Sequence, residues 1–159
     1  EASPLVLGQA VNIKAGGMLR LFRAVESHLV RGSRLVAVGG HYGFEPTAYA
    51  ATAGVANAAL TNLMRQLSWA LGDRGVTAHL VAPGPAETER LHAIATANAA
   101  KRGVTPDVVL DEIRQQSAIH AFTLPEQVAW GICLLLAPEA DAMAGSSLML
   151  DSGRRHGLP

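Results

Sequence analysis

Short apolar runs alternate with longer helical stretches along this chain, and this alternation restricts its fold more than any other feature. The runs at 35–38, 76–81 and 147–150 are short and mainly apolar, as is typical of strands buried between helices. Parallel strands need long crossover connections, which are usually helical. The order therefore predicts an α/β fold in which helices flank a parallel sheet, and the length of 159 residues fits a single domain.

Helical patterns fill the segments around these runs. Apolar residues at helical spacing predict a helix over 11–30, and a second helix over 47–71 begins with a half that is nearly all Ala and Gly. Such small side chains allow another backbone to approach closely. Three further helices are predicted at 86–101, 105–116 and 123–136, of which the last two carry Pro followed by an acid near their starts.

Composition excludes several classes of function. The 13 basic and 13 acidic residues cancel and no basic run stands out, which argues against nucleic-acid and membrane-surface partners. No apolar stretch reaches the roughly 18 residues of a membrane span. The six histidines lack the spacing of metal ligands, so no metal site is expected. Cys133 is the only cysteine, so no internal disulfide forms; we expect it in the core of a cytoplasmic protein.

The segment 34–59 carries the most specific motif. It reads RLVAVGGHYGFEPTAYAATAGVANAA, a predicted strand and a Gly-rich loop, after which Tyr49 opens the Ala-rich helix. This resembles the active-site segment of the short-chain dehydrogenase/reductase family, in which a strand ending in Ser precedes Tyr-x-x-x-Lys. In this alignment Tyr49 stands at the Tyr position, whereas Gly40 replaces the Ser and Ala53 replaces the Lys.

Four other segments are similar to the same family, in the same order. Asn12, in Val11-Asn12-Ile13 followed by Gly16, resembles the family's V-N-x-x-G helix start, and Pro83, Gly84 and Thr88 form P-G-x-x-x-T after the second predicted strand. The segments at 125–129 and 144–153 resemble the P-E-E-V-A helix start and the closing G-x-x-x-x-x-D-G-G. The resemblance covers nearly the whole chain. It implies a Rossmann-like parallel sheet flanked by helices, corresponding to the second half of a doubly wound fold.

The resemblance also implies a chemistry, the NAD(P)-dependent oxidoreduction of carbonyls and alcohols. In the family the Tyr hydroxyl transfers the proton, the Ser orients the substrate oxygen and the Lys lowers the Tyr pKa, with the Asn as fourth member. Pro83, Gly84 and Thr88 would contact the nicotinamide end of NAD or NADP. An unassisted Tyr is ionised in only about one molecule in a thousand at pH 7, so Gly40 and Ala53 predict a degenerate, impaired site.

Alternative interpretations remain open for the individual residues. His41 is placed to donate a hydrogen bond or act as a base, or it is a loop histidine that faces solvent. Tyr49 is either a retained site residue or an amphipathic residue at a helix start. Asn12 and Thr88 are equally interpretable as helix caps.

The family's phosphate-binding half has no counterpart in this sequence. Its Gly-rich turn, its cofactor selector and its N-N-A-G strand are absent, so residues 1–159 are expected to form a partial domain. The strand at 35–38 should then have an unpaired edge. We therefore also expect a homo-oligomer that assembles through the helices at 11–30 and 47–71. The alternative function is a non-catalytic pseudoenzyme, or an oligomerisation and interaction module on the same scaffold.

Overall fold

The three predicted strands form one parallel sheet in the computed structural model, which describes residues 3–157. They are β1 (Arg34–Val38), β2 (Thr77–Pro83) and β3 (Ser147–Leu150), arranged in the order β1-β2-β3. The central strand β2 pairs with β1 through Thr77 opposite Arg34, and with β3 through Leu80 opposite Ser147. The predicted α/β class is confirmed, and β1 has only one neighbouring strand among the described residues.

Six α-helices surround the sheet in the described part of the chain. They are α1 (Pro4–Val11), α2 (Gly17–Val25), α3 (Ala51–Leu71), α4 (Glu89–Arg102), α5 (Pro106–Arg114) and α6 (Pro125–Leu134). A π-helical turn, Asn12–Gly16, joins α1 to α2.

The boundaries of the first two predicted helices differ most from the sequence prediction. The helix predicted at 11–30 begins instead at Pro4, since Pro suits the first helical turn, and α2 ends at Val25 in a short 3₁₀ turn, Glu26–His28. The helix predicted to begin at residue 47 begins at Ala51. Residues 47–50 form a turn closed by a hydrogen bond from the Ala50 nitrogen to the Thr47 carbonyl. Tyr49 therefore precedes α3.

Alternate side chains of the strands fill two separate apolar cores. On one face, α3 packs Leu60 and Met64 against Leu80 of β2, and α2 adds further apolar side chains at the edge of this cluster. On the other face, Val81 of β2 packs with Leu135 and with the partly buried side chains of α6. Helices α4 and α5 form a third, smaller cluster with Phe122. The chain thus has a three-layer arrangement that buries β2 on both sides.

Cys133 lies outside these cores, so its predicted burial is wrong. The side of α6 that faces the sheet is held close by Gly131, where an added Cβ would approach the Leu150 side chain. Cys133 lies on the outer side of this helix and is exposed, as is Trp130. Across residues 3–157, no helix combines the length and apolar character required to traverse a bilayer.

Candidate functional site at the carboxyl edge of the sheet

The carboxyl ends of all three strands meet at one edge of the sheet. Hydrogen bonds link Gly39, just after β1, to the Val81 carbonyl at 2.8 Å, and Gly84, just after β2, to the Leu150 carbonyl at 3.0 Å. A 3₁₀ turn, His41–Gly43, follows β1 directly. Ligands of open parallel sheets bind outside this edge, and the sequence-predicted Gly40, His41, Pro83 and Gly84 all lie there.

The β2–β3 side of this edge is held by close backbone contacts. A Cβ added to Gly84 would lie 3.0 Å from the Cα of Asp151, so only Gly fits this approach without a shift. The buried Thr123 hydroxyl donates to the Leu150 carbonyl at 2.6 Å, and the Thr123 nitrogen donates to the Pro85 carbonyl at 3.0 Å. The turn after β2 is therefore fixed to the end of β3.

Thr88 caps the helix that follows this turn. Its hydroxyl accepts a long hydrogen bond, 3.4 Å, from the Leu91 nitrogen and donates to the Ala86 carbonyl at 3.2 Å. The capping interpretation is thus seen in the structure. Thr88 also lines an open depression of about 400 Å³ together with Glu87, Glu89 and His92. A contact with a cofactor remains a prediction.

On the β1–α3 side, the space beside Gly40 is filled by the side chain of Asn57. A Cβ added to Gly40 would lie 2.8 Å from Asn57 Nδ2, and one added to Gly43 would lie 2.9 Å from Asn57 Cβ. Asn57 is 5% exposed. Asn57 is not among the site residues that the sequence predicts. The one signal that marks it is a polar side chain within the run AGVANAAL, at a position that turns out to face the sheet.

Lys14 reaches the same place from the π-helical turn. Its Nζ donates to Asn57 Oδ1 at 2.5 Å and lies 3.4 Å from the Gly39 carbonyl oxygen. The amino group is partly buried, and this burial, together with the positive charge of Arg90, lowers the pKa of Lys14. Lys14 was also missed by the sequence analysis, because nothing in the sequence places residue 14 beside residue 57.

The structure does not bring Asn12, Tyr49 and Ala53 together at Gly40. Asn12 is exposed, and its Oδ1 accepts a hydrogen bond from Arg20 at 3.0 Å. Tyr49 is 71% exposed, and its hydroxyl lies 3.4 Å from that of Tyr42. Ala53 is exposed one turn before Asn57. Their catalytic roles remain predictions.

Tyr42 is the more buried of the two tyrosines. Burial, followed by the hydrogen bond with the Tyr49 hydroxyl, raises the pKa of Tyr42 to about 12. Its ring lies tilted against that of His41, with the centroids 3.9 Å apart. The Tyr42 hydroxyl is therefore less readily ionised than that of a free tyrosine.

His41 is buried rather than facing solvent. It is 3% exposed, and its Nε2 has no hydrogen-bond partner among the residues that the structure describes. Burial, followed by the positive charge of Arg154, lowers the pKa of His41 to about 4, although the Asp151 carboxylate and the Pro83 carbonyl partly oppose this. The imidazole is therefore neutral at pH 7, and it is a weak base.

The segment after β3 is held in place by hydrogen bonds of Asp151 and Arg154. Asp151 accepts hydrogen bonds from the nitrogens of Gly153 and Arg155, each at 3.1 Å. The buried Arg154 donates to the Ile113 carbonyl at 3.1 Å and to the Gln116 side chain. Among residues 3–157, no cluster of three His, Cys, Asp or Glu side chains is arranged to hold a metal ion.

Sequence comparison matches almost the entire chain to a reductase family model and to curated relatives. The family model described as "Enoyl-(Acyl carrier protein) reductase" matches residues 2–155. The short-chain reductase protein NovJ of Streptomyces niveus is 28% identical over 149 residues, covering 91% of this chain and 54% of that protein. The cyclic-di-GMP-binding biofilm dispersal mediator protein of Escherichia coli K12 is 28% identical over 158 residues, covering 92% of this chain and 62% of that protein. The chain thus spans less than two thirds of these relatives.

Solved structures share the same fold at low sequence identity. A short-chain dehydrogenase family protein from Francisella tularensis superposes with a TM-score of 0.91 at 16% identity, covering 97% of this chain and 64% of that one. L-sorbose reductase from Gluconobacter frateurii, complexed with NADPH and L-sorbose, superposes with a TM-score of 0.87 at 19% identity, covering 99% of this chain and 61% of that one. The angucycline C-6 ketoreductase LanV with bound NADP superposes with a TM-score of 0.82 at 20% identity, covering 99% of this chain and 57% of that one. The Rossmann-like arrangement is thereby confirmed.

Proposed function

Because the chain belongs to the short-chain dehydrogenase/reductase family, we propose that it forms the substrate-side part of an NAD(P)-dependent carbonyl/alcohol oxidoreductase in which proton transfer is impaired. The Rossmann-like sheet supplies the scaffold, and its carboxyl edge is the binding site. The NADP and NADPH complexes of LanV and L-sorbose reductase support a nicotinamide cofactor for this chain.

One observation carries the proposed impairment, namely that the Tyr49 hydroxyl lies exposed beside Tyr42 rather than at Gly40, and the pKa values of His41 and Tyr42 agree with it. A general acid or base works best when its pKa lies near the working pH. The pKa of Tyr42 is raised to about 12 and that of His41 is lowered to about 4. The hydroxyl of Tyr49 is exposed and bonded to Tyr42. The exposed Tyr49 hydroxyl and these pKa values thus support slow proton transfer at this site.

The position of Asn57 supports a second proposal, which concerns the alignment itself. In the family pattern the Lys and the Ser act in one site, and here Asn57 rather than Ala53 lies against Gly40. We propose that Asn57 occupies the Lys position, which places Ala53, one turn earlier, at the Tyr position. Tyr49 then lies one further turn upstream.

Restoring the family residues separates the two alignments. In the shifted alignment, Gly40→Ser with Ala53→Tyr and Asn57→Lys should raise the rate of NADPH-dependent ketone reduction. In the original alignment, Gly40→Ser with Ala53→Lys should do so, because Tyr49 is then the acid. The rates are measured by NADPH absorbance over a panel of ketones. A gain only in the second variant would return the assignment to Tyr49 and Ala53.

The fit of the cofactor to the described residues is partial. The depression beside Thr88 follows the Pro83–Gly84 turn, which suits the nicotinamide end, where the bound cofactor would exchange hydride with the substrate. Two of its lining residues, Glu87 and Glu89, are acidic and would repel a pyrophosphate. The cofactor phosphates therefore need a site beyond these residues.

Titration calorimetry with NADH and NADPH tests the oxidoreductase proposal. It is carried out on this chain and on a longer protein that includes any sequence upstream of it. Saturable binding by the longer protein, with slow turnover of ketones, is expected. If neither protein binds either nucleotide, the oxidoreductase proposal is refuted.

The alternative of an oligomerisation module is supported by exposed apolar residues on the helices at 11–30 and 47–71. Trp69 is 85% exposed, Ile13 70% and Val55 47%. We propose a homo-oligomer that covers these helices. Sedimentation velocity at micromolar concentration should show an oligomer that Trp69→Lys dissociates, whereas Trp130→Lys on α6 leaves it intact. A monomeric wild-type chain would contradict the proposal.

A further inference from the structure

The side-chain amide of Asn57 stands where the side chain of residue 40 would otherwise lie. Its orientation follows from its partner. The amino group of Lys14 can only donate to it, so the atom facing Lys14 is Oδ1, at 2.5 Å. The Nδ2 group is therefore the one that lies beside Gly40, 2.8 Å from the position of an added Cβ.

The two hydrogens of Nδ2 are available to a ligand. Nδ2 makes no hydrogen bond to any of the residues between 3 and 157, although Asn57 as a whole is 5% exposed. The hydrogen bond from Lys14 to Oδ1 also polarises the amide, which strengthens Nδ2 as a donor.

We propose that Asn57 Nδ2 donates a hydrogen bond to the carbonyl or alcohol oxygen of a small molecule bound at the end of β1, and that Lys14 is a positioning residue that holds this amide. The inference rests on the proposed function, since it concerns the oxygen of that reaction's substrate. It assigns a new donor to the place left by the missing side chain at Gly40. The chemistry required is a neutral oxygen acceptor small enough to approach a glycine.

A ketone with a ¹³C-labelled carbonyl, such as cyclohexanone, provides the probe. Its dissociation constant and its carbonyl stretching frequency are measured on the full chain, with and without NADPH. Asn57→Leu should weaken binding roughly 2- to 10-fold, the effect of one lost hydrogen bond, and raise the stretching frequency. Lys14→Met should change both quantities in the same direction, and Lys14→Arg should restore them in part. Asn62→Leu, an exposed asparagine on the same helix, is the matched control and should change neither.

Gly40→Ala provides an independent variant that leaves Asn57 in place. The added methyl group displaces Nδ2, so this variant should reproduce the weaker binding and the frequency shift even if Asn57→Leu fails to fold. Unchanged affinity and frequency in folded Asn57→Leu or Gly40→Ala would overturn the inference and leave the proposed function standing. A wild-type chain that binds no ketone, with or without NADPH, would overturn both.

Discussion

The two sides of the carboxyl edge are held by different kinds of contact. On the β2–β3 side, backbone groups hold the turn at Gly84, and the Thr123 hydroxyl binds a main-chain carbonyl. On the β1–α3 side, contacts between side chains, from Lys14 to Asn57, fill the space beside Gly40. Backbone contacts hold the turn on one side, whereas on the other we propose that these side chains determine what the site binds. A chain can therefore keep the family's scaffold while its chemistry changes on one side.

The largest expected effect is a pH dependence of the unfolding free energy, which arises from His41 on the β1 side. The pKa of His41 is about 4 in the folded chain and about 6.5 in the unfolded chain. Between these values the unfolded chain binds a proton that the folded chain does not. The free energy of unfolding should therefore fall by up to about 3 kcal/mol as the pH drops from 6.5 to 4, and this contribution should change no further below that range.

Urea unfolding between pH 7 and pH 4 measures this dependence. His41→Gln should remove most of it, while His28→Gln, at an exposed position, should leave it intact. Burial also lowers the pKa of His79, so a smaller dependence should persist in His41→Gln. If the unfolding free energies of wild type and His41→Gln depend equally on pH, protonation of His41 is not the cause of this dependence.

Gly84→Ala tests the backbone contacts of the β2–β3 side. Its Cβ would lie 3.0 Å from the Asp151 Cα, and the hydrogen bonds around Asp151 leave that backbone little room to move. The cost in unfolding free energy should be about 2 kcal/mol, as for other overpacked sites. Gly72→Ala is the control, since nothing lies within 4 Å of its added Cβ. Equal stability of the two variants would contradict the rigid contact.

Thr123→Val removes one hydrogen bond from the same side. The Leu150 carbonyl loses the Thr123 hydroxyl at 2.6 Å but keeps the Gly84 nitrogen at 3.0 Å. The expected loss is about 1 kcal/mol in urea unfolding. Thr96→Val, whose hydroxyl bonds the His92 carbonyl on an exposed helix face, should cost less. A smaller loss in Thr123→Val than in Thr96→Val would mean that the hydroxyl does not hold the turn.

The sequence predicted the scaffold better than the site, for physical reasons. The strand containing Val81 lies buried between helices, so its apolar composition marks it directly. Gly103 caps helix α4 with a φ of +67°, a left-handed conformation that glycine adopts readily at the end of a helix. The contact between Lys14 and Asn57 instead joins residues 43 apart, and no local pattern encodes it. The burial of His41 likewise depends on how its loop packs against α3.

Gly40→Ala is expected to have the smallest effect on stability, and it compares the two sides most directly. Gly40 has a φ of 174°, an extended conformation that alanine adopts without strain. Its added Cβ meets the movable end of the Asn57 side chain, whereas the one at Gly84 meets main chain. The loss should stay below about 1 kcal/mol, because alanine also restricts the unfolded chain. In the double variant Gly40→Ala/Asn57→Ala, the methyl group at position 40 no longer meets the Asn57 amide. The stability losses of the two single variants should therefore not add up in the double variant. A loss in Gly40→Ala as large as that in Gly84→Ala would show that both sides are equally rigid, and that the amide of Asn57 cannot yield to a side chain at position 40.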